Sequence, residues 1–307
     1  MINLTTNRFY ASDEVKLTYY ETPCPANPKG VVVIVHGMAE HARRYHEFMD
    51  FLYCHSYLAV IHDQRGHGQT GIDSGNPGFF DSGNGWKRVV ADVREISGML
   101  KEIYPDLPLF IVGHSMGSVV TRTAVIDHAE LYDGAVIIGT TIGINRFMRK
   151  TASLIARWEI RKKGEKTPSK LLSDLSFGSY NKKFKPNRTE YDWISMNKNN
   201  VDAYIEDPLC GFTCSAGFYR DLFYGIDYSA KASNLKKIPS DFPFLFLAGR
   251  DDPVGGMGKE VVHITRKLKN AGVLEVNLIL YPLMRHEILN EDKRDLVYRD
   301  VLRFLNA

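Results

Sequence analysis

Gly113-His114-Ser115-Met116-Gly117 sets a serine between two glycines, directly after the apolar run Leu109 to Val112 and before a helix-like stretch from Ser118 to Ala129. A strand, a G-x-S-x-G turn and a helix in that order describe a nucleophile elbow, which lifts a hydroxyl above the end of a sheet. The turn crowds backbone against backbone, so positions 113 and 117 are expected to leave no room for a Cβ. A serine hydroxyl is a weak nucleophile on its own and needs a base, an acid that orients the base, and donors for the oxyanion. His286 lies in the loop after the strand-like Val276 to Tyr281, and Asp251 and Asp252 follow the buried run Phe244 to Ala248. The chain order is therefore Ser, Asp, His. Neither of the two common protease folds uses that order.

The oxyanion donors follow from the same topology. One is the backbone N–H after the nucleophile, Met116, and the other belongs to a loop after an early strand. Val31 to Val35 is a continuous apolar run of the kind a buried parallel strand requires, and it leads into His36-Gly37-Met38-Ala39-Glu40-His41. Met38 N–H is the second expected donor. Such donors act on charge that develops in the transition state, and each is worth about 3 to 4 kcal/mol.

Taken together, His36 to His41, Asp63-Gln64-Arg65-Gly66-His67-Gly68, the serine turn, the Asp-Pro-Val loop and the terminal His286-Glu287 resemble the monoacylglycerol lipase and lysophospholipase group of α/β-hydrolases, also classed with the serine aminopeptidases. The resemblance covers the core on both sides of a divergent middle. It implies an α/β-hydrolase fold, a mostly parallel sheet with helices on both faces and an inserted, mainly helical cap. It also implies that the acid stands three residues after Gly249, which selects Asp252 over Asp251. The implied activity is hydrolysis of carboxylic esters of single-chain lipids through Ser115, Asp252 and His286, without metal or organic cofactor. Related aminopeptidases share the core. An amidase reading would need a cap carboxylate for an α-ammonium, with Glu190, Asp192, Asp202, Glu206 and Asp207 available. A non-catalytic receptor for a small ligand is the remaining alternative, and an intact triad argues against it.

The resemblance places His36, His41 and His67 around the oxyanion and strand-crossing loops, as structural or substrate-lining groups. His36 and His114, with Phe212 and Phe218 from the cap, are the candidate lining residues. A metal site of His36, His41 and His46 would need ligands converging from a loop and a helix with no cysteine nearby, and no metal is expected. Gly66-His67-Gly68-Gln69-Thr70-Gly71 fits a dinucleotide fingerprint, but the following Asp73 to Gly78 reads as loop rather than helix, so that site is not expected.

Alternating strands and helices in 307 residues, 44% hydrophobic and 24% charged, suit one α/β core. A hairpin is expected from Phe9-Tyr10 and Val15 to Tyr20, then a helix over 43–57, a strand over 58–61 and a helix over 86–103. The core comprises 1–140 and 236–307, and the cap 141–235. The cap carries sixteen Lys and Arg against ten Asp and Glu, in a chain of net charge +3. That balance implies no nucleic-acid partner. Within the cap, Phe147 to Lys163 reads as a basic amphipathic helix. Its first reading is a lid helix covering the active site, and its second is contact with anionic headgroups. The cap aromatics, among them Phe177, Tyr180, Trp193 and Phe223, are expected to divide between its own core and an apolar pocket. Four scattered cysteines and the lack of an apolar leader suggest free thiols and a cytoplasmic enzyme. Oligomeric state is left open.

Overall fold

The computed structural model describes residues 2–142 and 146–307, with the side chains of 146–149 excepted. Its centre is an eight-stranded sheet: β1 (Thr5–Tyr10), β2 (Lys16–Glu21), β3 (Gly30–Val35), β4 (Tyr57–His62), β5 (Leu109–His114), β6 (Gly134–Ile138), β7 (Phe244–Gly249) and β8 (Val276–Tyr281). The spatial order is β1-β2-β4-β3-β5-β6-β7-β8, and every pairing is parallel except β1–β2 and β2–β4, so β2 alone runs against the rest. Helices α1 (His46–Cys54), α2 (Gly68–Ser74), α3 (Gly85–Ile103) and α4 (Met116–His128) belong to the first crossovers. Between β6 and β7 the chain inserts α5 (Arg146–Lys163), α6 (Lys170–Phe177), α7 (Lys198–Glu206), α8 (Ala216–Ser229) and α9 (Ala232–Leu235), and α10 (Lys259–Ala271) and α11 (Arg294–Leu305) complete the fold.

The period of two in a strand explains why both faces are dry. Val31, Val33 and Val35 join one buried cluster with α3, α4, α8 and α10, whereas Val32 and Ile34 join a second with α1 and α11. Every residue of β3 to β7 is buried, so the apolar runs are uninterrupted. Burial of this kind contributes about 25 cal/mol per Å² of apolar surface. Register aligns Val35 with Gly113, and His114 with Ile138. The loops after β3, β5, β7 and β8 therefore emerge along one edge, the carboxyl ends of the strands, where open α/β sheets form their sites.

The structure departs from the sequence reading in three places. The helix expected over 43–57 is a 3-10 turn at Ala42–Tyr45 followed by α1 to Cys54. A helix does open at Gly68 and runs to Ser74, taking in the first two residues of the loop expected over 73–78. Its first turn is already occupied by a carboxylate, since Asp63 Oδ2 accepts Gln69 N–H at 2.8 Å, and a Cβ at Gly68 would collide with the same carboxyl. An internal acid, rather than a missing helix, is what bars a phosphate. The helix expected to cover the active site also does otherwise. Ala152 and Ala156 of α5 are buried in the core cluster beside α8 residues, and no described α5 side chain lines the cavities at Ser115. The side chains of Phe147 and Arg149 in that expectation lie outside what the structure describes. Within the inserted segment, α8 packs on α3 and α4 against the core face. Among the described residues no helix is long and apolar enough to cross a membrane.

Candidate active site

Ser115 stands between β5 and α4 with φ 53° and ψ −119°. For a residue with a side chain this backbone costs roughly 1 to 3 kcal/mol and persists only where the surroundings dictate it. The surroundings do so through the two glycines. A Cβ on Gly113 would strike Thr121 Oγ1 and the Gly117 carbonyl, and one on Gly117 would strike the carbonyls of Val35 and His36. Ser115 N–H donates to Ile138 O at 2.9 Å, which ties the elbow to β6. Met116 begins α4, so its N–H is among the helix's unpaired first-turn donors.

The loop after β7 carries two aspartates, and the structure brings Asp252 to the histidine. Asp252 is fully buried, its Oδ2 lies 3.1 Å from His286 Nδ1, and its Oδ1 accepts Val254 N–H at 2.8 Å. Asp251 is half-buried, with its N–H bonded to Met284 O at 3.0 Å. His286 is 4% exposed. Burial alone would push its pKa down, but the facing Asp252 carboxylate outweighs that and raises it above the ordinary 6.5. Two rings flank it, His114 at 4.8 Å and Trp193 from the inserted segment at 5.4 Å between centroids.

A buried charge network holds the loop after β3. Glu40 Oε1 accepts Gly37 N–H at 2.5 Å and Tyr45 O–H at 2.7 Å, while its Oε2 accepts Arg44 Nη1 at 2.9 Å. Arg44 in turn grips both carboxylate oxygens of Glu287 at 2.6 and 2.8 Å and donates to Asn200 Oδ1 on α7 at 3.1 Å. Burial would raise the Glu40 pKa, but its hydrogen-bonded and positive neighbours hold it well below the carboxylate range. Ala39, at φ 51°, gives its carbonyl to Tyr204 O–H at 3.0 Å and Gly211 N–H at 2.9 Å. His41 Nε2 meets Asp207 Oδ2 at 2.8 Å. The inserted segment and the Met38 loop are thus fastened to each other by polar contacts that lie mostly out of water.

Two cavities meet at Ser115. One, of 390 Å³, is lined by Gly37 to Glu40, His114, Ser115, His286 and Glu287, together with Lys170, Asp174, Asn181, Glu190, Tyr191, Trp193 and Phe212 from the inserted segment. The other, of 80 Å³, is lined by Met38, Ser115, Met116, Val119, Phe177, Tyr180, Leu222, Phe223, Ile226 and Val254, with Thr141 and Ser176. Of the expected lining residues, His114 and Phe212 reach the larger cavity. Phe218 does not: it is fully buried against Phe80, His67 and Tyr219. His36 does not either, because it lies under the loop, fully buried, where its Nε2 accepts Gln64 N–H at 3.0 Å. Burial lowers its pKa to about 4, so it is neutral. His46 turns to Ile2 O at 2.8 Å, so the three histidines considered as metal ligands do not converge. Of the cap aromatics expected to divide between core and pocket, Phe177, Tyr180 and Phe223 line the smaller cavity and Phe177 and Trp193 the larger. Sequence reasoning did not find the Glu40–Arg44–Glu287 network, nor Leu222 and Ile226 beside Phe223, whose available signal was the i, i+1, i+4 spacing of the three on one helix face.

With the geometry in place, the family profile for serine aminopeptidase, S33, matches residues 26–293. The chain belongs to that family. It is 28% identical over 227 residues to monoglyceride lipase of Mus musculus, a match covering 73% of this chain and 66% of that protein. It is 26% identical over 296 residues to monoacylglycerol lipase of Mycolicibacterium smegmatis, covering 95% and 93%. Among solved structures, a thermostable carboxyl esterase from Bacillus coagulans in complex with glycerol superposes with TM-score 0.90 at 27% identity, covering 100% of this chain and 99% of that one. An open-form lipase superposes with TM-score 0.87 at 24% identity, covering 99% and 98%, which bears on the fold alone.

Proposed function

We propose that this member of the family is a serine carboxylester hydrolase that works by two-step acyl transfer. The observation that carries the reading is the His286–Asp252 contact of 3.1 Å beside a strained Ser115 that lines the same cavity as His286. Ser115 attacks the ester carbonyl while His286 takes its proton. Asp252 holds the imidazole through Nδ1 and stabilises the cation that forms, and the N–H groups of Met38 and Met116 receive the oxyanion. His286 then protonates the departing alcohol. Water, with the same histidine as base, releases the acid.

As substrate we propose an ester of a single-chain lipid, of monoacylglycerol or lysophospholipid type, and the names of the mouse and mycobacterial relatives support the first of these. Leu154 and Trp158, 64% and 53% exposed on α5 among Arg157, Arg161 and Lys162, support transient contact with a membrane surface. An aminopeptidase reading has one observation in its favour: Glu190 lines the larger cavity, where it would face an α-ammonium. Of the other carboxylates considered, Asp202 is engaged by Arg188 at 2.6 Å, Asp192 by the backbone N–H groups of Arg188 and Thr189 at 2.6 and 3.1 Å and Asp207 by His41 at 2.8 Å, and Glu206 is not among the residues that line that cavity. A panel of p-nitrophenyl esters, a monoacylglycerol, a lysophospholipid and an aminoacyl anilide, with Ser115→Ala as control, decides the matter. Ester turnover lost in the mutant is expected. Activity confined to the anilide would establish the peptidase, and no turnover at all would leave only a ligand-binding role.

A further inference from the structure

His41 follows the loop that carries Met38, and its side chain reaches the inserted segment, where Nε2 lies 2.8 Å from Asp207 Oδ2. Asp207 Oδ1 accepts Leu209 N–H at 2.8 Å, and Cys210 N–H donates to Asp207 O at 3.0 Å. The chain after α7 therefore turns back on itself and brings the Cys210 sulfur beside the carboxylate. An imidazole nitrogen, a carboxylate oxygen and a sulfur thus lie within 4.8 Å of one another. None of these three residues lines the cavities at Ser115, so the cluster stands apart from the triad.

We propose that His41, Asp207 and Cys210 form a binding site for a divalent metal ion of the zinc class, which joins the Met38 loop to the inserted segment. The donor set selects the ion. Calcium and magnesium take oxygen ligands, whereas zinc accepts imidazole nitrogen, carboxylate oxygen and thiolate sulfur in one tetrahedron. Zinc bonds of about 2.0 Å to nitrogen and oxygen and about 2.3 Å to sulfur set ligand separations of roughly 3.3 to 3.5 Å. The His41–Asp207 pair opens by about half an ångström to meet that geometry, and the most distant pair closes by at most about 1.5 Å. Small side-chain rotations supply both. Three protein ligands leave the fourth position to water. On binding, the thiol proton of Cys210 passes to solvent and the sulfur ligates as thiolate.

The surroundings favour a cation. Asp207 caps the carboxyl end of α7, where the peptide dipoles present their negative end, and the last turn of that helix carries no basic residue. Arg44 stands nearby, but its charge is taken up by Glu40 and Glu287. The position is also one where core and inserted segment are already joined, since Ala39 O accepts Gly211 N–H at 2.9 Å beside the proposed ligands. A bound ion adds coordinate bonds to the hydrogen bonds of that join, and so stabilises the arrangement in which the inserted segment meets the Met38 loop.

The test titrates Co²⁺, a coloured stand-in for zinc, into the metal-free protein and reads the thiolate-to-metal charge-transfer band, then titrates Zn²⁺ by calorimetry and thermal melting. One ion per chain is expected, with the charge-transfer band, and Zn²⁺ at a hundredfold excess over its Kd raises Tm by about 5 °C. Cys210→Ser removes the band. Asp207→Asn, whose amide oxygen still serves Leu209 N–H, weakens Zn²⁺ binding at least about tenfold, since loss of a ligand costs no less than loss of an outer-shell partner. A double variant of the exposed cysteines, Cys24→Ser with Cys54→Ser, keeps both the band and the affinity. Near-native circular dichroism of all variants shows that lost binding is not lost structure. Absence of the band in the wild type, a band that survives Cys210→Ser or vanishes with Cys24 and Cys54 instead, or unchanged Zn²⁺ affinity in Asp207→Asn overturns the site.

Discussion

Glu40→Gln tests whether the buried network behind the Met38 loop serves catalysis or only stability. The substitution changes one oxygen to an amide nitrogen at a site where three neighbours donate, Gly37 N–H at 2.5 Å, Tyr45 O–H at 2.7 Å and Arg44 Nη1 at 2.9 Å, with His114 Nδ1 at 3.3 Å. If the amide oxygen faces Gly37 and Tyr45, its NH₂ confronts the Arg44 guanidinium. If it is flipped, the NH₂ confronts Gly37 N–H. One buried donor is left unsatisfied in either case, at about 1 to 3 kcal/mol. Arg44 loses one of two buried carboxylates but keeps the bidentate Glu287, so the total falls near 3 kcal/mol, the low end for breaking a buried pair. At about 2 °C per kcal/mol for a chain of this size, Tm drops by about 6 °C. Released from Glu40, Gly37 no longer fixes Met38 N–H, and kcat falls by about 10² to 10³ while KM stays within about threefold, the signature of a lost oxyanion donor. Differential scanning fluorimetry and steady-state hydrolysis measure both. A variant that melts lower but keeps more than about a third of its kcat would show that the network is structural only. Unchanged melting would refute the energetic argument itself.

Asp252→Asn is expected to lower kcat by about 10⁴, as loss of the orienting acid does in other triads, while Asp251→Asn leaves it within about threefold, and the reverse outcome would transfer the role. The pKa of His286 is raised above 6.5, and the imidazole must be neutral to act as base, so kcat/KM of the wild type rises with pH through a limb above 6.5; in Asp252→Asn the residual activity loses that upward shift and its limb moves to lower pH. His62 is fully buried, neither ring nitrogen has a partner among the described residues, and burial drives its pKa to about 3. The unfolded chain, at about 6.5, binds that proton first, so stability is lost as pH falls below 6.5 and is complete above it; at pH 5 the deficit is about 2 kcal/mol for this one group. Urea unfolding of His62→Leu at pH 5 and pH 8 should show a pH-dependent loss smaller than wild type by that amount, and an equal loss would mean that the imidazole is charged or solvated in the native state.

The candidate residues of the site were legible because each belongs to a short motif at the end of a strand. Ser115 with its two glycines, the carboxylates after one strand and His286 after another each sit at a strand's end, and the backbone crowding expected at Gly113 and Gly117 is found there. The apolar runs of β3, β5 and β7 announced strands buried on both faces, and a parallel sheet follows from them. What escaped depends on contacts between residues far apart in the chain. Trp193 against His286 and Asn200 against Arg44 arise from how the inserted helices settle, which no period in the sequence encodes. Phe212 and Phe218 differ by six positions and have the same side chain, yet one faces the large cavity and the other the core, because Phe218 lies in the first turn of a helix that packs on α3 and α4. The helix at Gly68 was misjudged from the composition of the residues beyond it. Its start is decided instead by Asp63, five positions earlier, which supplies the carboxylate that its first turn needs.

The most direct test of the account is to treat the protein with a fluorophosphonate, locate the adduct by peptide mass spectrometry, and compare ester hydrolysis by the wild type and Ser115→Ala. The account predicts a single adduct on Ser115, none in the mutant, and turnover reduced by about 10⁴-fold or more with melting unchanged. An adduct on another residue, or a mutant retaining a tenth of the wild-type rate, would contradict it.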